Sequence, residues 1–271
     1  MSVFSIATGT AGEVPRAEAL ARIAHAGFTS VELGGDADHL DGWPSDPAGM
    51  RRDLASFGLT ARSVHLPTRA WNVGNPDAAT RRDALEAARA CFGQAAEVGA
   101  GVVICHPNAS TQPFTAETFA TNLARSREAV AAMAEYAADA GVRMALENLP
   151  ARHLPRPGAT VAQALGLIEG LGAHVGICLD AGHANSNGLS AAAEARAAGA
   201  LLLALHLQDN DGLGEDQHLL PGDGTTDWGA LLRALNEMRF AGLLTFEVAG
   251  GDAPCETLAT LAALREEWKA R

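Results

Sequence analysis

Leu201–Leu207 reads LLLALHL and Gly101–Cys105 reads GVVIC. Runs this short and this continuously apolar fit parallel strands covered on both faces, because a half-exposed antiparallel strand would alternate apolar with polar residues. Comparable runs lie outward along the chain at Phe4–Thr8, Ser30–Leu33, Ala61–His65, Arg143–Glu147, Val175–Asp180 and Leu243–Val248. With Gly101–His106 and Leu202–Leu207 they make eight predicted strands. Ala-rich stretches of helical periodicity separate them, at Pro15–His25, Asp77–Val98, Ala116–Ala140, Thr160–Leu171, Trp228–Met238 and Pro254–Lys269. A sixth connection, Leu189–Ala198, carries the weakest helical pattern. Asp227 is placed to cap the helix opening at Trp228, Thr115 with Thr118 opens another, and Gly27, Gly99, Gly141 and Gly172 follow predicted helix ends. Eight βα units joined by right-handed crossovers close most simply into a single (β/α)8 TIM barrel of the α/β class, with a doubly wound open sheet as the alternative.

The 271 residues suffice for one such barrel, and no linker or low-complexity tract interrupts the pattern, so one domain over residues 1–271 is expected. Hydrophobic residues make up 48% and charged residues 19% of the chain, with mean hydropathy near zero, which excludes a disordered or fibrous protein. The formal charge of -12 opposes non-specific attraction to nucleic acid or an anionic membrane. Four cysteines (Cys91, Cys105, Cys178, Cys255) form no C-x-x-C, no basic-then-apolar leader opens the sequence, and no apolar run approaches membrane-spanning length. A cytoplasmic protein with reduced thiols and no membrane partner is expected. Cys105 and Cys178 fall within strands and read as buried, inert thiols.

In a barrel of this kind the strands' C-terminal ends converge on one mouth. Strand three ends at His65 (SVHLP), four at His106 (VICHPN), five at Glu147 (ALENLP), six at Asp180 followed by His183 (CLDAGH), seven at His206 (ALHLQD) and eight at Glu247 (TFEVAG). The loop after strand seven adds Asp216 and His218 (EDQHLLPGDG). Any one of these residues could be an ordinary hydrogen-bonding group, but nine metal-competent side chains on one mouth are a pattern. Carboxylates gathered in a cleft repel one another and are driven toward protonation unless a cation neutralises them. Imidazole with carboxylate suits Zn, Mn or Co.

ENLP, CLDAGH, HLQDND followed by DQHLLPGDGTTDW, and the late FEV together resemble, over essentially the whole chain, the xylose isomerase-like TIM barrels that include sugar phosphate isomerases/epimerases and the endonuclease IV nucleases. In the epimerase branch the resemblance implies one divalent metal ion on Glu147, Asp180, His206 and Glu247, with His183 near substrate oxygens. In the nuclease branch it implies three zinc ions on nine ligands, matched here by His65, His106, Glu147, Asp180, His183, His206, Asp216, His218 and Glu247. One to three ions are therefore open. In ketohexose 3-epimerases the resemblance would place a second acidic residue six positions past the strand-five Glu and an Arg six past the strand-seven His. This chain has His153 and Gly212 there, which argues against a ketohexose epimerase.

The predicted mouth loops favour a small substrate over DNA. GGDADHLDGWPSD, HPNASTQP and QDNDGLGEDQHLLPGDG contain no Lys or Arg, whereas a nuclease must neutralise several phosphates. Arg69, Arg152 and Arg156 are basic in the other loops and are candidates for an acidic substrate group, the alternative being solvated loop charge. Trp43 and Trp71 can stack on a sugar face or merely cover the mouth. The expected chemistry is isomerisation or epimerisation of a small sugar, sugar phosphate or related hydroxy-ketone through a metal-stabilised enediolate, with Glu147 and Glu247 as the acid/base pair. Loss of a β-hydroxyl from the same intermediate would make a dehydratase. The rivals are a zinc phosphodiesterase acting on abasic DNA and a metal-binding scaffold without catalysis. Barrels of this kind often pair, so a homodimer is admitted, though nothing in the sequence locates its interface.

Overall fold

In the computed structural model, which describes residues 2–69, 71–109 and 113–270, eight strands close a barrel in chain order: β1 (Val3–Ala7), β2 (Ser30–Gly34), β3 (Thr60–His65), β4 (Val102–Cys105), β5 (Arg143–Glu147), β6 (Val175–Asp180), β7 (Leu202–Leu207) and β8 (Leu243–Phe246). Neighbouring strands are parallel, including β1 with β8, which shuts the ring. The closed single-sheet architecture is the TIM barrel, and the open doubly wound alternative is excluded.

Alternation along the strands explains both the apolar runs and the polar mouth. Val103, Leu146, Leu179 and Leu205 belong to the main apolar core. The adjacent residues Ile104, Ala145, Cys178 and Ala204 belong to a separate buried cluster. Two further positions bring that same inward parity to His106, Glu147, Asp180 and His206. On β3 and β8 the parity links buried Ser63 to His65 and buried Thr245 to Glu247. A layer of mostly small side chains thus lies beneath a layer of large polar ones.

The helices are α1 (Arg16–His25), α2 (Pro47–Ser56), α3 (Ala78–Val98), α4 (Phe119–Ala140), α5 (Val161–Ile168), α6 (Ala181–Ser186), α7 (Ala191–Ala198), α8 (Trp228–Glu237) and α9 (Pro254–Lys269). Asp227 caps α8 by accepting from the Ala230 N–H at 2.8 Å, and Gly99 and Gly141 end α3 and α4 in the left-handed region. The helix expected from Ala116 begins at Phe119, because Thr115 and Thr118 bond each other in a turn ahead of it. α5 stops at Ile168 rather than Leu171, leaving Gly172 in the following turn. The weak pattern at Leu189–Ala198 is α7, capped by Ser190. α2 and α6 lack an extended helical pattern in the sequence; Asp46 and Asp180 cap them through the Gly49 and His183 N–H groups. No described helix is long and apolar enough to cross a membrane. The four cysteines are free, with all but Cys255 buried.

Candidate metal centre

The nine side chains meet at the mouth in three groups, within each of which the ligand atoms lie no more than 4.8 Å apart: His65, His106 and Glu147; Glu147, Asp180, His206 and Glu247; and His183, Asp216 and His218. Glu147 belongs to two of them. Its Oε2 is 3.3 Å from His65 Nε2 and 3.1 Å from His106 Nε2, while its Oε1 is 3.1 Å from His206 Nδ1 and 3.4 Å from His183 Nδ1. Glu247 Oε2 reaches the same His206 Nδ1 at 2.8 Å, so two carboxylates from β5 and the end of β8 share one ring atom.

The imidazoles are oriented from behind. His65, His183 and His218 direct Nδ1 at the carbonyl oxygens of Leu66, Asn148 and Glu247, at 2.8, 2.8 and 2.7 Å. A carbonyl can only accept, so Nδ1 carries the proton and Nε2 is turned toward the carboxylates, the arrangement typical of metal-ligating histidine. His206 faces the centre with Nδ1, and Glu32 Oε1 approaches its Nε2 at 3.0 Å from the opposite side, off the line of a straight hydrogen bond. Glu32 is itself fixed by a 2.6 Å bond from the Ser63 hydroxyl.

Asp180 shows how the floor is poised. Its Oδ1 accepts from the His183 N–H at 2.7 Å, but Oδ2 is buried without a hydrogen-bond partner. Burial, reinforced by Glu147 and Glu247 and opposed by His183, pushes its carboxyl up to about 7. Burial likewise works against charge on Glu147, but His206 foremost, with His106 and His183, holds it well below the usual carboxylate range. Burial disfavours protonated His65 and His218, and the carboxylates outweigh it: Glu147 raises His65 to about 9, and Asp216 with Glu247 raises His218 to about 10. Protons thus do the work of a cation among these carboxylates. The orphaned Asp180 oxygen, the carbonyl-oriented rings and the nitrogen and oxygen donor set fit a divalent metal ion.

The site opens into a cavity of about 630 Å³. We call the group around Glu147, Asp180, His206 and Glu247 its floor, and His183, Asp216 and His218 its rim. Gln208 ties the two together, donating from Nε2 to Asp180 Oδ1 at 3.2 Å and to Asp216 Oδ1 at 3.0 Å. Gly182 makes room for that amide, since a Cβ there would meet the Gln208 side chain at about 2.2 Å. Asn148 pins β5 to β6 by accepting from the Asp180 N–H and donating to its carbonyl. Sequence reasoning missed Glu32, Gln208 and Asn148. For Glu32 a signal existed, because it is an acidic residue inside the otherwise apolar run of β2, two positions beyond buried Ser30.

Of the side chains expected to meet substrate, Trp71, Arg156 and His183 line the cavity. Trp43 does not: it is fully buried and donates through Nε1 to the Gly34 carbonyl at 2.6 Å, so it closes the core beneath the mouth and is removed from the candidate sugar contacts. Arg69 and Arg152 are also outside the lining, largely exposed in ion pairs with Asp38 at 2.6 Å and Glu215 at 3.0 Å. Their charge belongs to the solvated surface.

Residues 20–267 match the family model described as xylose isomerase-like TIM barrel. The chain belongs to that family. It is similar to an uncharacterized protein of Mycobacterium leprae, 30% identical over 269 residues covering 91% of this chain and 89% of that one. An uncharacterized protein of Methanocaldococcus jannaschii is 27% identical over 190 residues, 68% of this chain and 63% of its own length. Among solved structures, a D-tagatose 3-epimerase-like protein superposes with a TM-score of 0.83 at 20% identity, over 99% of this chain and 98% of that one. A 3-keto-D-glucoside 4-epimerase from E. coli does so with a TM-score of 0.79 at 19% identity, over 98% and 100%.

Proposed function

We propose that the chain is a divalent-metal-dependent isomerase or epimerase of a small carbohydrate. The observation that carries this reading is the pair Glu147 and Glu247, both of which reach the Nδ1 atom of His206 at the floor of a cavity sized for a small molecule. The fold shared with sugar epimerases agrees with it. Glu147, Asp180, His206 and Glu247 would hold the ion. When bound, a divalent ion supplies Lewis acidity that acidifies the carbon between a carbonyl and a hydroxyl of the substrate.

Glu247 is the better placed base. Its Oε1 has no hydrogen-bond partner among the described residues, and its side chain is 24% exposed. Glu147 is 1% exposed, with Oε2 against the rings of His65 and His106. A proton returned from this side comes from Glu147 itself or through the imidazole beside it. Return to the same carbon gives an epimer and return to its neighbour an isomer, while loss of a β-hydroxyl gives a dehydration product. Trp71 and Leu66, which are buried and line the cavity, help exclude water. The test is entry of solvent deuterium into ketoses and hydroxy-ketones during turnover by the metal-loaded protein. Glu247→Gln is expected to abolish exchange, and full exchange in that variant would remove its assigned role.

One observation favours a second reading, a zinc phosphodiesterase acting on abasic DNA: the nine ligands fall into three groups that could hold three ions. Against it, Arg69 and Arg152 are neutralised by Asp38 and Glu215, and the described lining offers only Arg156 to a phosphate backbone. Three bound zinc ions with incision of abasic DNA would establish this reading in place of the first.

A further inference from the structure

We propose that the substrate carries a single oxyanion, a carboxylate or a phosphate, and that Arg156 receives it. This rests on the carbohydrate reading above and adds the substrate's charge to it. Arg156 stands in the loop after β5, 7% exposed, and lines the cavity. Its Nε donates to Asn108 Oδ1 at 2.8 Å, its Nη1 donates to the Pro150 carbonyl at 2.8 Å, and its guanidinium lies 5.1 Å from the centre of the Phe114 ring. Asn108 is itself buried and anchored, donating from Nδ2 to the Pro157 carbonyl at 2.7 Å. The guanidinium is therefore held along its edges and one face before any ligand arrives. Nη2 has no hydrogen-bond partner among the described residues.

A buried cation with an unused donor is not explained by the protein's own carboxylates. Asp216, the acidic group with the largest influence on it, is already engaged: Oδ1 accepts from Gln208 and faces His218, and Oδ2 faces His183. Burial lowers the Arg156 pKa to about 10, so the group stays charged at neutral pH. It is the one Arg or Lys among the described lining residues, which limits the complement to one anion. A pre-positioned guanidinium offering N–H donors to a planar or tetrahedral oxyanion is the favourable geometry for charge-assisted bonding.

The experiment is isothermal titration of the metal-loaded protein with three unreactive probes of one carbon skeleton: an alditol, its terminal phosphate and the matching aldonate. One of the two anionic probes is expected to bind at least about 30-fold more tightly than the alditol, and which one does so identifies the oxyanion. Arg156→Gln should reduce that preference to about threefold or less, with Arg156→Lys between the two because it keeps charge and loses the fork. Equal binding of all three probes by the unaltered protein overturns the proposal without any variant. So does a preference that survives Arg156→Gln, which would place the anion on the metal instead. Solvent-deuterium exchange into a ketose and its phosphate is read separately: anion preference without exchange overturns the isomerase reading and leaves the Arg156 site standing.

Discussion

The floor and the rim of the cavity use the same ligand chemistry but are held by different means. Floor residues Glu147 and Asp180 end strands of a closed barrel, His206 is the penultimate residue of β7, and all three are at most 1% exposed; Glu247 directly follows β8 and is 24% exposed. Rim residues Asp216 and His218 come from the long connection after β7 and are 24% and 29% exposed, whereas the third, His183, is buried in α6 three positions after Asp180. That connection is tied down by Asp209, whose carboxylate accepts from the Gly222 and Thr226 N–H groups and from Trp228 Nε1 at 2.8 Å. His218 has a φ of 50°, and its ring is located by the Glu247 carbonyl. Strand ends fix donor positions through the whole sheet, whereas a loop fixes them through a few bonds, so the floor should bind tightly and the rim adjustably.

The largest effect is expected from Asp180→Asn, which alters a proposed floor ligand whose Oδ2 is orphaned. Metal affinity measured by competition with a chromophoric chelator should fall by roughly a thousandfold. Glu32→Gln leaves the ligands in place and weakens the carboxylate behind His206, so the same measurement should show a loss of about 10- to 100-fold. His218→Ala should leave affinity at the floor within about threefold, because it changes only a rim donor. A loss as large as that of Asp180→Asn would erase the distinction between the regions.

Protons and the proposed metal would compete for these sites. With His65 at about 9 and His218 at about 10, both rings are protonated near neutral pH in the metal-free chain. Affinity should rise with pH, and calorimetry in buffers of different ionisation enthalpy should show proton release on binding. Without metal the sign reverses for stability. Both pKa values are raised above the unfolded value near 6.5, so their stabilisation is complete below about pH 6.5 and is lost as pH rises toward 9 and 10. The melting temperature of the stripped protein should fall over that interval. The smallest effect concerns neither region: Asp227→Ala removes the α8 cap and should cost about 1 kcal/mol in chemical unfolding.

The same contrast explains what could be read from sequence. Strand parity places Glu147, Asp180 and His206 as soon as the runs VVIC and LLALHL are recognised as buried parallel strands, because the side chain two positions beyond a barrel-interior residue points the same way. Glu32 obeys that rule and was recoverable. Gln208 was not, since its role depends on the close approach of Gly182, an α6 residue without a periodic signature. Trp43 was misplaced for a related reason: a tryptophan in a loop after a strand resembles a mouth residue until the Gly34 carbonyl draws its indole beneath the surface. Arg69, Arg152 and Arg156 looked equivalent, and only the positions of Asp38, Glu215 and Asn108 separate two surface charges from one buried donor.

In the proposed mechanism one metal ion at the floor, beside Glu147 and Glu247, is enough to move a proton on a carbohydrate. Titrating a divalent metal into stripped protein while following solvent-deuterium entry into an exchanging ketose or hydroxy-ketone tests it directly. Exchange is expected to rise with the first equivalent bound and to be complete at one. Exchange that is absent until three equivalents are bound, or that proceeds without metal, would contradict it.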